Sequence, residues 1–112
     1  MKMQQSELPG NILKIKLTGP LDIAGASEID TPFSVIAGSQ KKVVVDLSGV
    51  SFLASIGIRV LVVTARTLGS KGGRLVVYSP SAEALRVLRA TGIDKIIPIA
   101  ADEAAAVAAF AT

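Results

Sequence analysis

A short run of β-branched residues, Val43-Val44-Val45 followed by Asp46 and Leu47, limits the possible folds of this chain more than any other feature. A continuous apolar run of this length is typical of a central strand that is buried on both faces of a sheet. Stretches with helical spacing of apolar residues lie on either side of it. Strand–helix–strand units require crossover connections and parallel strands, so the run predicts an α/β fold.

Two further strands are predicted before the central run. Residues Asn11 to Thr18 alternate apolar side chains with lysines, which is typical of a strand with one buried face. Met3 to Leu8 is expected to pair with it through a turn at Pro9-Gly10. Gly19-Pro20 is predicted to end the second strand.

The first helix is predicted from Ala24 to Ala37, with Ile29, Phe33 and Ile36 forming its apolar stripe. Pro32 lies inside this window, and proline lacks the N–H group that a helix interior needs. It therefore either starts the ordered helix, with Thr31 as the cap, or kinks a longer helix. The sequence leaves both alternatives open.

The rest of the chain continues the alternation of helix and strand. We predict a bend at Ser48-Gly49-Val50, a helix from Ser55 to Leu68 and a strand at Arg74 to Tyr78. A third helix is predicted to be capped by Ser79 and to end at Gly92. A strand at Ile96 to Ile99 and a helix from Asp102 to Phe110 follow. The prediction is thus one α/β domain over residues 1–112, with a mixed sheet of four to five strands packed with about four helices.

Composition argues against several classes of function. The chain has no cysteine and no histidine, so it lacks the usual metal ligands, thiol nucleophiles and general bases. We therefore expect no enzyme activity, no catalytic or metal-binding residue and no cofactor. The net charge is +3, but the basic residues are dispersed and no aromatic residues interleave with them, so nucleic-acid binding is not expected.

Localisation is predicted from the apolar segments. Residues 1–10 are mostly polar and do not resemble a secretory signal. The most apolar segment, Ile56 to Leu68, carries Arg59 and Arg66 and is too short to span a bilayer. We expect a cytoplasmic monomer.

The segment around Ser55 carries the most functional information, because functional loops collect at the carboxyl ends of parallel strands. Ser55 is placed as the N-cap or first-turn residue of the second helix, where a hydroxyl often has only a capping role. Gly57 in the first turn costs about 1 kcal/mol relative to alanine, which suggests that another group approaches the backbone there. Ile56, Val60 and Val63 lie off the inward stripe, so a neighbouring helix buries them or they form a docking surface.

Four blocks of sequence occur in order: Leu17 to Asp22, Val43 to Ile58, Gly72 to Val77 and Leu88 to Ile93. They resemble successive signatures of the STAS domain, the fold of bacterial anti-sigma factor antagonists, and the resemblance spans about residues 10–110. It implies a regulator of transcription that binds an anti-sigma factor serine kinase and so releases a sigma factor. It further implies that phosphorylation of Ser55 ends the contact and that Asp22 helps to form the contact surface.

The predicted partner-binding residues share one end of the sheet and the outer face of the second helix: Asp22, Ala54, Ser55, Ile56, Gly57, Arg59, Val60 and Val63. The run Ala54-Ser55-Ile56-Gly57 differs from the family's usual Asp-Ser-[Ser/Thr]-Gly. The alternative is therefore a non-switching STAS scaffold or transport-system subunit that docks constitutively through this helix. An enzyme acting on a phosphate ester, with Asp22 and Asp46 as its acids, is disfavoured because no glycine-rich phosphate loop is present.

Overall fold

The computed structural model describes residues 1–111 and confirms the α/β fold. Its strands are β1 (Lys2–Leu8), β2 (Ile12–Leu21), β3 (Lys42–Leu53), β4 (Arg74–Tyr78) and β5 (Ile99–Ala100), and its helices are α1 (Ile23–Ser39), α2 (Ser55–Ser70), α3 (Ala82–Ala90) and α4 (Glu103–Ala108), with a 3-10 turn at Ile93–Lys95. The five strands form one sheet in the order β1-β2-β3-β4-β5. The β1–β2 hairpin is antiparallel and the other neighbours are parallel.

The central strand β3 is buried on both faces, as its β-branched run predicts. Val43 and Val45 face a core that α1, α2 and α3 complete, whereas Val44 faces a smaller core beneath α4. Successive side chains of a strand point to opposite faces, so a single apolar run supplies both cores. The result is a sheet with three helices on one face and one short helix on the other.

Strands β2 and β3 are longer than predicted. Gly19-Pro20 does not end β2, which pairs with β3 as far as Leu21 with two register shifts on the way. The last β1 partner on β2 is Thr18, so Pro20 needs no N–H donor toward that side. The predicted bend at Ser48-Gly49-Val50 likewise lies inside β3, because β2 provides a pairing partner there.

Pro32 neither starts α1 nor follows a cap at Thr31. The helix begins nine residues earlier at Ile23, with Asp22 as its N-cap, and continues through Pro32 to Ser39. Ile29, Phe33 and Ile36 are buried as predicted. Packing of this apolar stripe on the sheet outweighs the hydrogen bond that proline cannot donate.

The start of α3 and the position of β5 also differ from the predictions. Ser79 has a left-handed backbone (φ 55°), which is incompatible with the extended N-cap conformation, and its hydroxyl donates to the carbonyl of Ala101. Ser81 is the cap instead, accepting from the Ala84 amide at 3.1 Å. The last strand is Ile99–Ala100 rather than Ile96 to Ile99, because the 3-10 turn and Pro98 precede it.

Candidate partner-binding site

Ser55 is the first residue of α2, and its side chain is exposed. It therefore occupies the first turn, whereas Ala54 is the N-cap and has an extended backbone. Because alanine has no acceptor, no side chain caps the first amide groups of α2, and no acidic residue lies in the first turn. The Ser55 hydroxyl thus has no capping role in the helix.

The electrostatic environment of Ser55 favours negative charge. Uncapped amide groups and the helix macrodipole make the N-terminus of a helix partially positive. Arg59 lies one helical turn further along α2 and is also exposed. Side chains spaced four residues apart on a helix are neighbours, so the guanidinium group of Arg59 can reach an anion held at Ser55.

Asp22 and Ser55 follow neighbouring parallel strands and lie at the same edge of the sheet. Leu21 at the end of β2 pairs with Leu53 at the end of β3, and the Ala54 amide donates to the Leu21 carbonyl oxygen at 3.0 Å. Asp22 is half-buried and caps α1, accepting from the Gly25 amide at 2.9 Å. Its carboxylate therefore has a structural role at the rim of the candidate site.

Gly57, predicted as a partner-binding residue, is not on the surface of the chain. It is buried, and a Cβ atom at this position would lie 2.8 Å from the carbonyl oxygen of Leu21 and 3.0 Å from its Cδ2 atom. Another group does approach this backbone, as expected, but that group belongs to the chain itself. The close contact with Leu21 therefore helps to set the position of α2.

The sequence left open whether a neighbouring helix buries the outer face of α2 or leaves it as a docking surface, and the structure shows both on different residues. Val60 is 9% exposed and belongs to the core between α1 and α2, so burial accounts for most of its surface. Ile56 and Val63 are 40% and 54% exposed, and neither belongs to either core. They form an exposed apolar surface that begins immediately after Ser55.

Three further exposed apolar residues were not predicted: Ile23 and Val35 on α1, and Phe52 near the end of β3. Val35 falls outside the Ile29, Phe33 and Ile36 stripe, so helical spacing could have shown that it points away from the sheet, whereas Ile23 precedes the predicted start of the helix at Ala24. The pairing of α1 with α2 could not be read from local sequence, although it brings Ile23 and Val35 to the same groove as Ile56 and Val63.

A separate polar cluster lies on the opposite face of the sheet beneath α4. The Lys14 ammonium contacts Glu103 at 2.6 Å, and the Tyr78 hydroxyl donates to the same carboxylate at 3.1 Å. The hydrogen bond with Lys14 lowers the pKa of Glu103, and the same bond raises the pKa of Lys14. Burial, followed by the negative charge of Asp46, raises the pKa of Tyr78 to about 12.

Asp46 is buried and accepts from the Ser48 amide at 2.9 Å. It pairs with Tyr78 in the β3–β4 register and so lies on the α4 face, whereas Asp22 caps α1 on the other face, so the two carboxylates do not form one acidic site. Within residues 1–111, no group of three or more Asp, Glu, His or Cys side chains is arranged to hold a metal ion. None of the helices in that range has the length and apolar character needed to cross a bilayer.

Taken together, these features define a class: a small α/β domain with a mixed five-stranded sheet and an uncapped, serine-bearing helix at the carboxyl edge of its parallel strands. The profile of the STAS domain matches residues 4–106 of the chain. This chain belongs to the STAS domain family.

Three proteins are similar to this chain in sequence or in fold. BtrV of Bordetella bronchiseptica, assigned as an anti-sigma factor antagonist, is 27% identical over all of this chain and 97% of its own length. A Thermotoga maritima protein with the same assignment has a TM-score of 0.91 at 21% identity, with 98% of this chain and 95% of that protein covered. The anti-sigma factor antagonist SpoIIAA of Bacillus has been solved in two forms. The unphosphorylated form has a TM-score of 0.80 at 20% identity, with 99% of this chain and 98% of SpoIIAA covered. The phosphorylated form has a TM-score of 0.74 at 22% identity, with 96% of this chain and 98% of SpoIIAA covered.

Proposed function

We propose that this chain is an anti-sigma factor antagonist: it binds an anti-sigma factor that is also a serine kinase, and phosphorylation of Ser55 releases it. Its similarity to BtrV over the whole chain supports the general role. The observation that carries the switch is the exposed Ser55 at the uncapped start of α2, next to the apolar side chain of Ile56. In this proposal the chain acts by binding, as a cytoplasmic monomer, and needs no cofactor.

The physical basis of the switch is a difference between the free and the bound protein. A phosphate adds about −1.5 to −2 charges, which the amides at the start of α2 and nearby Arg59 can stabilise in the free protein. In the complex, the same charge would replace an apolar contact and lose its hydration. An unpaired charge buried in an interface costs about 2–5 kcal/mol, which corresponds to roughly 30-fold or more in affinity.

The test is to incubate the chain with the anti-sigma factor kinase of the same organism and ATP, and to locate the phosphate by mass spectrometry. We expect modification of Ser55 only, none in Ser55→Ala, and normal modification in Ser51→Ala, whose replaced serine is also exposed and lies four residues away. The phosphorylated chain should bind the kinase about 30-fold or more weakly. Phosphate on another residue, or none, would contradict the proposed switch.

A second candidate function is a scaffold that docks constitutively through the same helix. It is favoured by Ala54 and Ile56, which replace the acidic residue and the second hydroxyl of the usual family run. The two candidates differ in the effect of Ser55→Asp on partner binding. A weakened complex supports the switch, and an unchanged dissociation constant supports the scaffold.

A further inference from the structure

The helices α1 and α2 lie side by side on the sheet, with an open groove of about 790 Å³ between them. Six large apolar side chains are exposed within residues 1–111, and four of them line this groove: Ile23, Val35, Ile56 and Val63. Two come from each helix, so both walls of the groove are apolar. Single exposed apolar residues are common, but a group of four along one groove is typical of an interaction site.

The two walls of the groove carry opposite charges. The charged residues of α1 are Glu28 and Asp30, whereas those of α2 are Arg59 and Arg66. Asp30 and Arg59 line the groove from opposite sides and form no salt bridge with each other. Glu28 is occupied by the N-terminal ammonium of Met1 at 2.9 Å. Asp30 therefore gives the α1 wall an acidic edge and Arg59 gives the α2 wall a basic edge.

We propose that this groove binds one amphipathic helix of a protein partner, with basic residues along its α1 side and acidic residues along its α2 side. The inference rests on the proposed function, because the partner is the anti-sigma factor. It deepens that function by extending the contact surface from α2 to the α1 wall of the groove. A groove between two packed helices accepts a third helix by the same ridge-and-groove packing. The apolar stretch from Ile23 to Val35 spans roughly 18 Å, which matches about three turns of helix.

A second copy of the chain fits this groove less well than a helix does. Two identical concave faces placed against each other would leave unfilled space, whereas close packing requires a convex partner.

The position of the groove also connects it to Ser55. Each helix follows a parallel strand, so both N-termini lie at the same end of the groove, where Ile56 is adjacent to Ser55.

The test uses a fluorescein-labelled synthetic helical peptide of about 16 residues, with leucines along one stripe, lysines along one edge and glutamates along the other. We expect it to bind the full chain, with amide NMR shifts confined to α1 and α2. Val35→Asp and Val63→Asp should each weaken binding about tenfold or more. Ile96→Asp is the matched control, because Ile96 is 45% exposed but lies outside the groove.

Charge recognition is tested with a second peptide in which glutamine replaces every lysine and glutamate. It should bind more weakly, and Asp30→Asn with Arg59→Gln should remove the difference between the two peptides. The replaced side chains are exposed, so circular dichroism is expected to be unchanged for every variant.

Four results would overturn the proposal. They are no binding of the charged peptide, amide NMR shifts outside the two helices, tighter binding of a small apolar ligand (the fatty acid laurate is the probe) than of the peptide, and dimerisation of the chain that Val35→Asp abolishes. The peptide experiments involve no kinase and no phosphate. If the peptide binds in the groove but the anti-sigma factor kinase does not bind the chain, the proposed function and the identity of the partner fail, and only the assignment of the groove as a helix-binding site stands. If the kinase binds and Val35→Asp has no effect on either ligand, the groove assignment fails and the function stands.

Discussion

The backbone of Gly57 packs directly against Leu21, and a Cβ atom on Gly57 would lie 2.8 Å from the Leu21 carbonyl oxygen. This oxygen also accepts the hydrogen bond from Ala54 at 3.0 Å. The start of α2 is therefore fixed against the end of β2 by a hydrogen bond at Ala54 and a steric contact at Gly57. Because Ser55 lies between these two contacts, its position at the sheet edge depends on both.

Gly57→Ala should destabilise the chain. The added methyl group must displace backbone, which costs about 1–3 kcal/mol, and the better helix propensity of alanine returns only part of this. We expect a net loss of about 1–2 kcal/mol in the free energy of unfolding, measured by urea denaturation.

Gly69→Ala is the control, because Gly69 lies in the same helix with no atom within 4 Å of its added Cβ. It should leave stability unchanged or raise it by up to about 1 kcal/mol. Equal effects of the two substitutions would contradict the steric role of Leu21.

Ser55→Ala should not destabilise the chain, because the Ser55 hydroxyl does not cap α2. We expect a change within about 0.5 kcal/mol in the free energy of unfolding. Ser81→Ala is the matched comparison: Ser81 caps α3 through the Ala84 amide, so its loss should cost about 1 kcal/mol. A loss at Ser55 as large as that at Ser81 would mean that Ser55 has a structural role.

A phosphoserine installed at position 55 by genetic code expansion should be a stronger acid than a free phosphoserine. The amides of α2 and the guanidinium of Arg59 stabilise the dianion, so its second pKa should fall below about 6. The measurement is a ³¹P NMR titration. Arg59→Gln should move the pKa upward and Arg59→Lys should restore much of the shift, whereas identical titrations of all three proteins would exclude Arg59 as the receiving cation.

Tyr78 should titrate with a pKa of about 12 in the folded chain, because burial and the charge of Asp46 oppose ionisation of its phenol. The chain has one tyrosine and no tryptophan, so absorbance near 295 nm reports on this residue alone. In guanidinium the pKa should return to about 10. Since the folded-state pKa is raised, the stabilisation is complete below pH 10 and is lost as the pH rises through 12.

Asp46→Asn should lower the pKa of Tyr78, because an amide has no negative charge but can still accept from the Ser48 amide. Asp94→Asn, an exposed position in the 3-10 turn, is the control and should have no effect. A folded-state pKa near 10 in the unsubstituted chain would contradict the burial of Tyr78.

Patterns that depend on neighbouring residues predicted most of the fold. The run at Val43 to Leu47 predicted a central strand, and Arg74 to Tyr78 is a strand with the predicted bounds. The predictions failed where residues far apart in the chain decide the outcome. Pro20 stays in a strand because β3 pairs with it, and Ser79 is displaced as a cap because its backbone is held left-handed where β4 meets β5.

The candidate site also has some features that local sequence predicts and others that it does not. The position of Ser55 at the start of a helix follows from glycine, serine and apolar spacing, which act within one or two turns. The burial of Gly57 against Leu21 and the placement of Val35 and Val63 along one groove do not, because they depend on segments that are distant in sequence.

The sequence alone determined the order of strands and helices, the two-sided burial of β3 and the place of Ser55, since backbone conformation and side-chain periodicity are local properties. Only the tertiary structure decided which apolar side chains of α1 and α2 remain exposed and which residues enclose Gly57. The physical reason is that burial depends on what packs against a side chain, and the packing of α1 on α2 is set by the shared sheet beneath them.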